Sequence, residues 1–146
     1  MERILNYIKV SDTISTSGQP LKKQFKKIAK EGFEVIINLG LNTHPEALKE
    51  EDKIVSKNGM IYFHIPISWE EPEIDRLKLF LILLESLQKE NKKVFIHCIK
   101  NYRVSVFIYK YKKDILKQKD AKLVAPKEYK PNEVWEKVLK SKNIKR

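Results

Sequence analysis

Cysteine occurs once in the 146 residues, at position 98. One thiol cannot build an intramolecular disulfide framework, so the chain reads as a protein of a reducing compartment. Long apolar runs are also missing: the longest, residues 79–84, has six residues, against the roughly 18–20 that a membrane span needs. Met1-Glu2-Arg3-Ile4 opens no apolar stretch leading to a small-residue cleavage site. The expectation is a cytoplasmic protein with neither span nor secretory leader. Glycine (4) and proline (6) are scarce, and no linker, repeat or low-complexity segment divides the chain. One domain is expected over 1–146, in the usual range of about 100–200 residues. Three scattered histidines and one cysteine offer no zinc-ligand spacing, and neither common Gly-rich nucleotide loop is present.

Apolar content is ample. At 42% hydrophobic residues the chain can bury a core, which excludes wholesale disorder. Charge is strongly one-sided: 30 lysines and arginines face 19 acids, a net of +11. Residues 110–146 hold 13 against 5, a net of +8, and residues 1–109 hold 17 against 14, a net of +3. A basic C-terminal region suits contact with a polyanion, or simply solvates the last helices. With few arginines and no RNP-like motif, base readout has little support.

Strand and helix periods alternate along the chain. Short strands are expected at 7–10 and 14–16, then a break at Ser17-Gly18-Gln19-Pro20. Over 21–30, Leu21, Phe25, Ile28 and Ala29 share one helical face, with Gly32 placed for a left-handed cap. The β-branched run 35–39 predicts a buried strand. The pattern then predicts a helix over 45–57, a strand over 60–67, a helix over 73–88, a strand over 93–97, a helix over 103–116 and a last helix over 132–139 docked through Trp135. This order predicts an α/β fold with a mostly parallel central sheet flanked by helices. Ligands of such sheets bind beyond the carboxyl ends of the strands, here after Leu39, Ile67 and His97.

The only cysteine falls in one of those places. Val94-Phe95-Ile96-His97-Cys98-Ile99-Lys100-Asn101-Tyr102-Arg103-Val104-Ser105 reads as strand, short loop and helix start. A thiol there lies over the positive end of a helix, near Lys100 and Arg103, and each favours the thiolate. The N–H groups of Ile99, Lys100, Asn101, Tyr102 and Arg103 can curl into an anion-binding nest, and Arg103 can fork two oxygens of a tetrahedral dianion. Asn101 can take the left-handed conformation that a tight loop needs where glycine is missing. A lone cysteine at a strand end is otherwise just a small buried hydrophobe.

The loop His97-Cys98, Arg103 and Ser105, after an apolar strand and before a helix, resembles the signature of cysteine-dependent protein phosphatases, the tyrosine and dual-specificity enzymes. Ser11-Asp12-Thr13-Ile14-Ser15-Thr16-Ser17-Gly18-Gln19-Pro20, Val35-Ile36-Ile37-Asn38-Leu39, His64-Ile65-Pro66-Ile67 with Trp69-Glu70, and Pro131-Asn132-Glu133-Val134-Trp135 resemble small bacterial phosphatase-like proteins. The resemblance implies a dual-specificity-phosphatase-like fold and a phosphorylated protein or small phosphoester as substrate, with no metal or organic cofactor. It implies Cys98 as nucleophile through a cysteinyl-phosphate, and Arg103 as phosphate ligand. His97 would hold the loop and favour the thiolate, and Ser105 would assist the thiolate as leaving group. The loop departs from the signature: four residues rather than five separate Cys98 from Arg103, the usual glycines are absent, and the hydroxyl comes two residues after the arginine.

The resemblance also implies a general acid on the loop after Ile67. Glu70 is the first candidate and Asp75 the alternative, although a carboxylate in a first helical turn also stabilises the dipole. Glu71 beside Pro72 reads as a solvated turn residue, His64 as a satisfied strand histidine, and His44 as a loop residue near the pocket. A six-residue loop from Cys98 to Arg103 also resembles the persulfide loop of rhodanese-type sulfurtransferases, in which Cys98 would carry a sulfane sulfur. A third possibility is a non-catalytic anion- or polyanion-binding module.

Overall fold

The computed structural model describes residues 1–142; residues 143–146, the end of the span expected as one domain, lie outside the described residues. The β-branched runs form strands, as a pleated, half-buried surface favours. They are β1 (Ile8–Lys9), β2 (Ile14–Ser17), β3 (Val35–Asn38), β4 (Ile61–His64) and β5 (Val94–His97), paired in the order β1-β2-β5-β3-β4. β1 is antiparallel to β2 and every other pairing is parallel. Ser17 and Asn38 both lie opposite His97 in register. β5 is therefore the central strand, and its carboxyl end opens between two neighbours.

The period of two along β3 and β5 divides the core. Val35, Ile37, Val94 and Ile96 face a layer built by α3 (Ile74–Lys89), α4 (Tyr102–Lys110) and α5 (Glu133–Lys140), chiefly through Leu77, Phe80, Leu84, Phe107 and Trp135. Ile36 and Phe95 face α1 (Gln24–Lys30) and α2 (Glu51–Lys57) through Phe25, Ile28 and Val55. Strands covered on both faces read as continuous apolar runs, which is why these segments stood out in the sequence. Trp135 is fully buried, and Asn132 caps α5 by accepting from Trp135 N at 3.0 Å.

Three helices differ from the sequence pattern. α1 starts at Gln24 rather than Leu21, because the Gln24 side chain accepts from Leu21 N at 2.7 Å and closes a turn there. The helix expected over 45–57 begins only at Glu51. Glu50 has left-handed φ of 56°, which stops a helix from running through it, and turns such as Ala47 N to His44 O fill the segment before it. The helix expected over 103–116 is α4 followed by a π-helical turn, Tyr111–Ile115. There Leu116 N bonds to Tyr111 O, five residues back, beside a buried Lys110–Asp114 pair at 3.1 Å.

Candidate active site

Cys98 follows β5 directly, and residues 98–101 turn the chain into α4. The loop packs tightly against the end of β2. Gln19 N donates to Ile99 O at 2.9 Å, and a Cβ on Gly18 would stand 2.5 Å from that same carbonyl, so only glycine lets the two backbones meet. Asn101 has φ of 67°, the left-handed turn that replaces the missing loop glycine. Its conformation is held from inside: Asn101 is fully buried, and its Nδ2 donates to Asn6 O at 2.9 Å and to Thr16 Oγ1 at 3.0 Å. Asn6 in turn donates to Lys100 O at 2.9 Å. The turn at 4–7 thus braces the loop from the N-terminal side.

With this shape, no acceptor among the described residues takes the N–H of any residue from Ile99 to Arg103. Orphan amides of this kind at the start of a helix constitute an anion nest. A cleft of about 400 Å³ lies there, lined by Cys98, Ile99, Lys100, Tyr102 and Arg103 from the loop, Leu41 and His44 from the segment after β3, and Trp69 and Glu70 from the segment after β4. All three strand ends expected to bear chemistry therefore meet in one cleft. Cys98 is 1% exposed, which puts the thiol at the floor.

Two cation-capable side chains flank it. The His97 ring is fully buried, with Nδ1 2.9 Å from Cys98 O and Nε2 2.5 Å from Glu51 Oε2. A carbonyl only accepts, so Nδ1 carries a proton and donates it to the Cys98 carbonyl; one further proton lies between Nε2 and the carboxylate. Glu51 also accepts from Gln19 Nε2 at 2.8 Å. Arg103 is 6% exposed and donates from Nη1 to Ile67 O at 2.8 Å. It has no carboxylate partner among the described residues. A nearly buried guanidinium facing a cleft without a counterion is costly to hold, because burial without pairing is unfavourable for any charge.

Aromatic rings build the wall. Tyr102 stacks on Tyr129 with centroids 4.4 Å apart and planes 8° apart, and Trp69 packs on Trp135 at 5.4 Å. Trp135 Nε1 donates to Trp69 O at 2.9 Å, which ties the segment carrying Glu70 to α5. The Tyr102 hydroxyl donates to Glu128 Oε2 at 2.9 Å; burial pushes this phenol up, with the Glu128 bond and charge adding to it. Glu128 is held below the usual carboxylate range by its own backbone N–H and then by Tyr102. The Tyr129 hydroxyl is buried with no hydrogen-bond partner among the described residues. Burial raises its phenol strongly, and negative charge at Cys98 adds to that.

The structure brings Cys98, Ile99, Lys100, Tyr102, Arg103 and Glu70 to one cleft and leaves four expected residues, His97, Asn101, Ser105 and Asp75, out of its lining. Asp75 is exposed in the first turn of α3 and does not line the cleft. Ser105 is buried and donates to Asn101 O at 2.6 Å, a bond to the carbonyl four residues back that shapes the loop rather than reaching the thiol. Asn101, expected among the phosphate ligands, commits its side chain to the scaffold and leaves only its N–H for a ligand. His64 donates from Nε2 to Gly40 O at 2.7 Å, as a satisfied strand histidine. Glu51, Glu128 and Tyr129 were not visible from the sequence as site residues, since no local pattern joins them to Cys98.

No family model and no curated protein matches the chain. Solved structures do. They share its α/β fold, a central sheet flanked by helices. A DUF442 protein from Shewanella putrefaciens CN-32, provisionally described as a phosphatase, shares 27% identity and a TM-score of 0.85, covering 94% of this chain and 91% of that one. PTPMT1 superposes with a TM-score of 0.76 at 16% identity, over 92% of this chain and 91% of that one. TpbA from P. aeruginosa, solved in complex with pTyr, has a TM-score of 0.64 at 13% identity, over 78% of this chain and 66% of that one. What the chain has in common with these neighbours is a tyrosine/dual-specificity-phosphatase-like fold.

Proposed function

We propose that this chain is one cytoplasmic phosphatase-like domain that hydrolyses a phosphomonoester on a protein or small molecule. The observation that carries the reading is the set of N–H groups from Ile99 to Arg103 with no acceptor among the described residues, together with an Arg103 guanidinium that meets no carboxylate among them, around the buried Cys98. In this reading three phosphoryl oxygens sit in the nest and Arg103 forks two of them, stabilising the charge that spreads in the transition state. The Cys98 thiolate attacks phosphorus, the ester P–O bond breaks, and the leaving oxygen takes a proton from Glu70. Water then attacks the cysteinyl-phosphate, giving its proton to the Glu70 carboxylate as the S–P bond breaks and inorganic phosphate leaves. Lysines of the C-terminal region supply general attraction for anionic substrates. Ser105 has no part in the thiolate's departure in this scheme; it holds Asn101.

The test is hydrolysis of p-nitrophenyl phosphate by the full chain and by Cys98→Ser. The expected result is turnover that Cys98→Ser abolishes. Turnover that survives Cys98→Ser, or sulfur transfer from thiosulfate to cyanide by the unaltered chain, would overturn the phosphatase reading.

A further inference from the structure

A groove of about 690 Å³, sharing no lining residue with the cleft, runs between α1 and α2. Its floor is apolar, formed by Leu21 and Ile54. Leu21 is 57% exposed. Its rim is cationic: Lys22, Lys23, Lys26 and Lys57 line it. None of these four ammonium groups has a hydrogen bond or ion pair among the described residues. The groove continues past Pro20 and Gln19 to Ala47 and Leu48, in the segment whose other part, Leu41 and His44, lines the cleft. Gln19 accepts from Leu48 N at 3.3 Å and donates to Glu51, which fixes the groove wall to the carboxylate that holds His97.

We propose that this groove docks an acidic polypeptide segment bearing an apolar anchor, the anchor seated on Leu21 and Ile54 and its carboxylates among the four lysines. Charge complementarity selects an anion, and the apolar floor selects among anions. Single-stranded nucleic acid would call for stacking rings or arginine planes, and the groove has neither. A membrane surface would meet a flat basic face, whereas these lysines rim a concave groove. An apolar side chain with flanking acids fits both features. The proposal is independent of catalysis at Cys98.

The experiment is fluorescence anisotropy of the full chain with a labelled dodecapeptide of glutamates flanking a pair of leucines. Lys22→Glu/Lys26→Glu is expected to weaken binding about tenfold, and Leu21→Ser about fivefold. Lys119→Glu/Lys127→Glu, an equal charge change elsewhere on the surface, is expected to leave binding within about twofold. Replacing the peptide's leucines by serines is expected to abolish the difference that Leu21→Ser makes. Circular dichroism checks that each variant is folded, and Cys98→Ser is expected to bind like the unaltered chain. Equal weakening by the two charge reversals, or indifference to Leu21→Ser, would overturn the proposal. So would tighter binding of poly(U) or of phosphatidylglycerol vesicles than of the peptide.

Discussion

His97 and Arg103 stand on either side of Cys98, and both are buried, yet they are treated in opposite ways. His97 is closed: its ring bridges the Cys98 carbonyl and the Glu51 carboxylate, and the charge of the pair cancels inside the protein. Arg103 is open: one carbonyl receives one of its N–H groups, and no carboxylate meets it among the described residues. The difference separates scaffold from site. On the closed side His97, Glu51 and Asn101 are matched, which fixes the loop; on the open side a guanidinium and a row of amides have no carboxylate or carbonyl pairing of that kind among the described residues, apart from the Ile67 carbonyl on Arg103.

Breaking the open side is expected to have the largest effect. Arg103→Lys keeps a charge but loses the planar fork, and kcat/KM for p-nitrophenyl phosphate is expected to fall by about 10³-fold, with urea stability changed much less. Breaking the closed side moves the balance the other way. Glu51→Ala leaves the His97 ring facing a hole instead of a carboxylate, and is expected to cost about 3 kcal/mol in urea unfolding.

Smaller changes sharpen the contrast. Ser105→Ala removes the bond to Asn101 O and is expected to cost about 1 kcal/mol of stability, while activity stays within about threefold of the unaltered chain. A large activity loss with intact stability would instead favour the leaving-group role implied by the family resemblance. The least effect concerns alkaline pH. Burial, aided by the Glu51 charge, raises the Tyr62 phenol from 10.0 to about 12, and Tyr129 is raised further. The folded chain holds these protons more tightly than the unfolded chain does, so this part of the stability is intact below about pH 10 and is lost as pH rises through 12. Tyr62→Phe is expected to flatten that loss in unfolding measurements followed across the range.

Much of this arrangement could be read from the chain. The runs 35–39 and 93–97 are apolar on both faces because both faces are covered, and such strands announce themselves. The Cys98 loop was legible because its residues are adjacent, and Asn101 declared its left-handed turn because glycine was missing there. What escaped was tertiary. Glu51 carries no local sign of its role, because nothing nearby in the sequence says that a strand ending in His97 passes beneath it. Tyr129 sat in a polar connection and gave no period, yet it stacks on Tyr102. Ser105 was placed by its distance from Arg103 along the chain, whereas the first turn of α4 rotates it away from the thiol. Glu50 delays the start of α2 by a backbone conformation that its side chain does not advertise.

The open side of Cys98 is tested most directly by a crystal of the protein soaked in sulfate. The expected result is one oxyanion centred over the Cys98 sulfur, accepting from the N–H groups of residues 99–103 and forked by Arg103, with the Glu51–His97 pair unchanged. An empty cleft at saturating sulfate, with Arg103 still donating to Ile67 and the anion bound elsewhere, would contradict it.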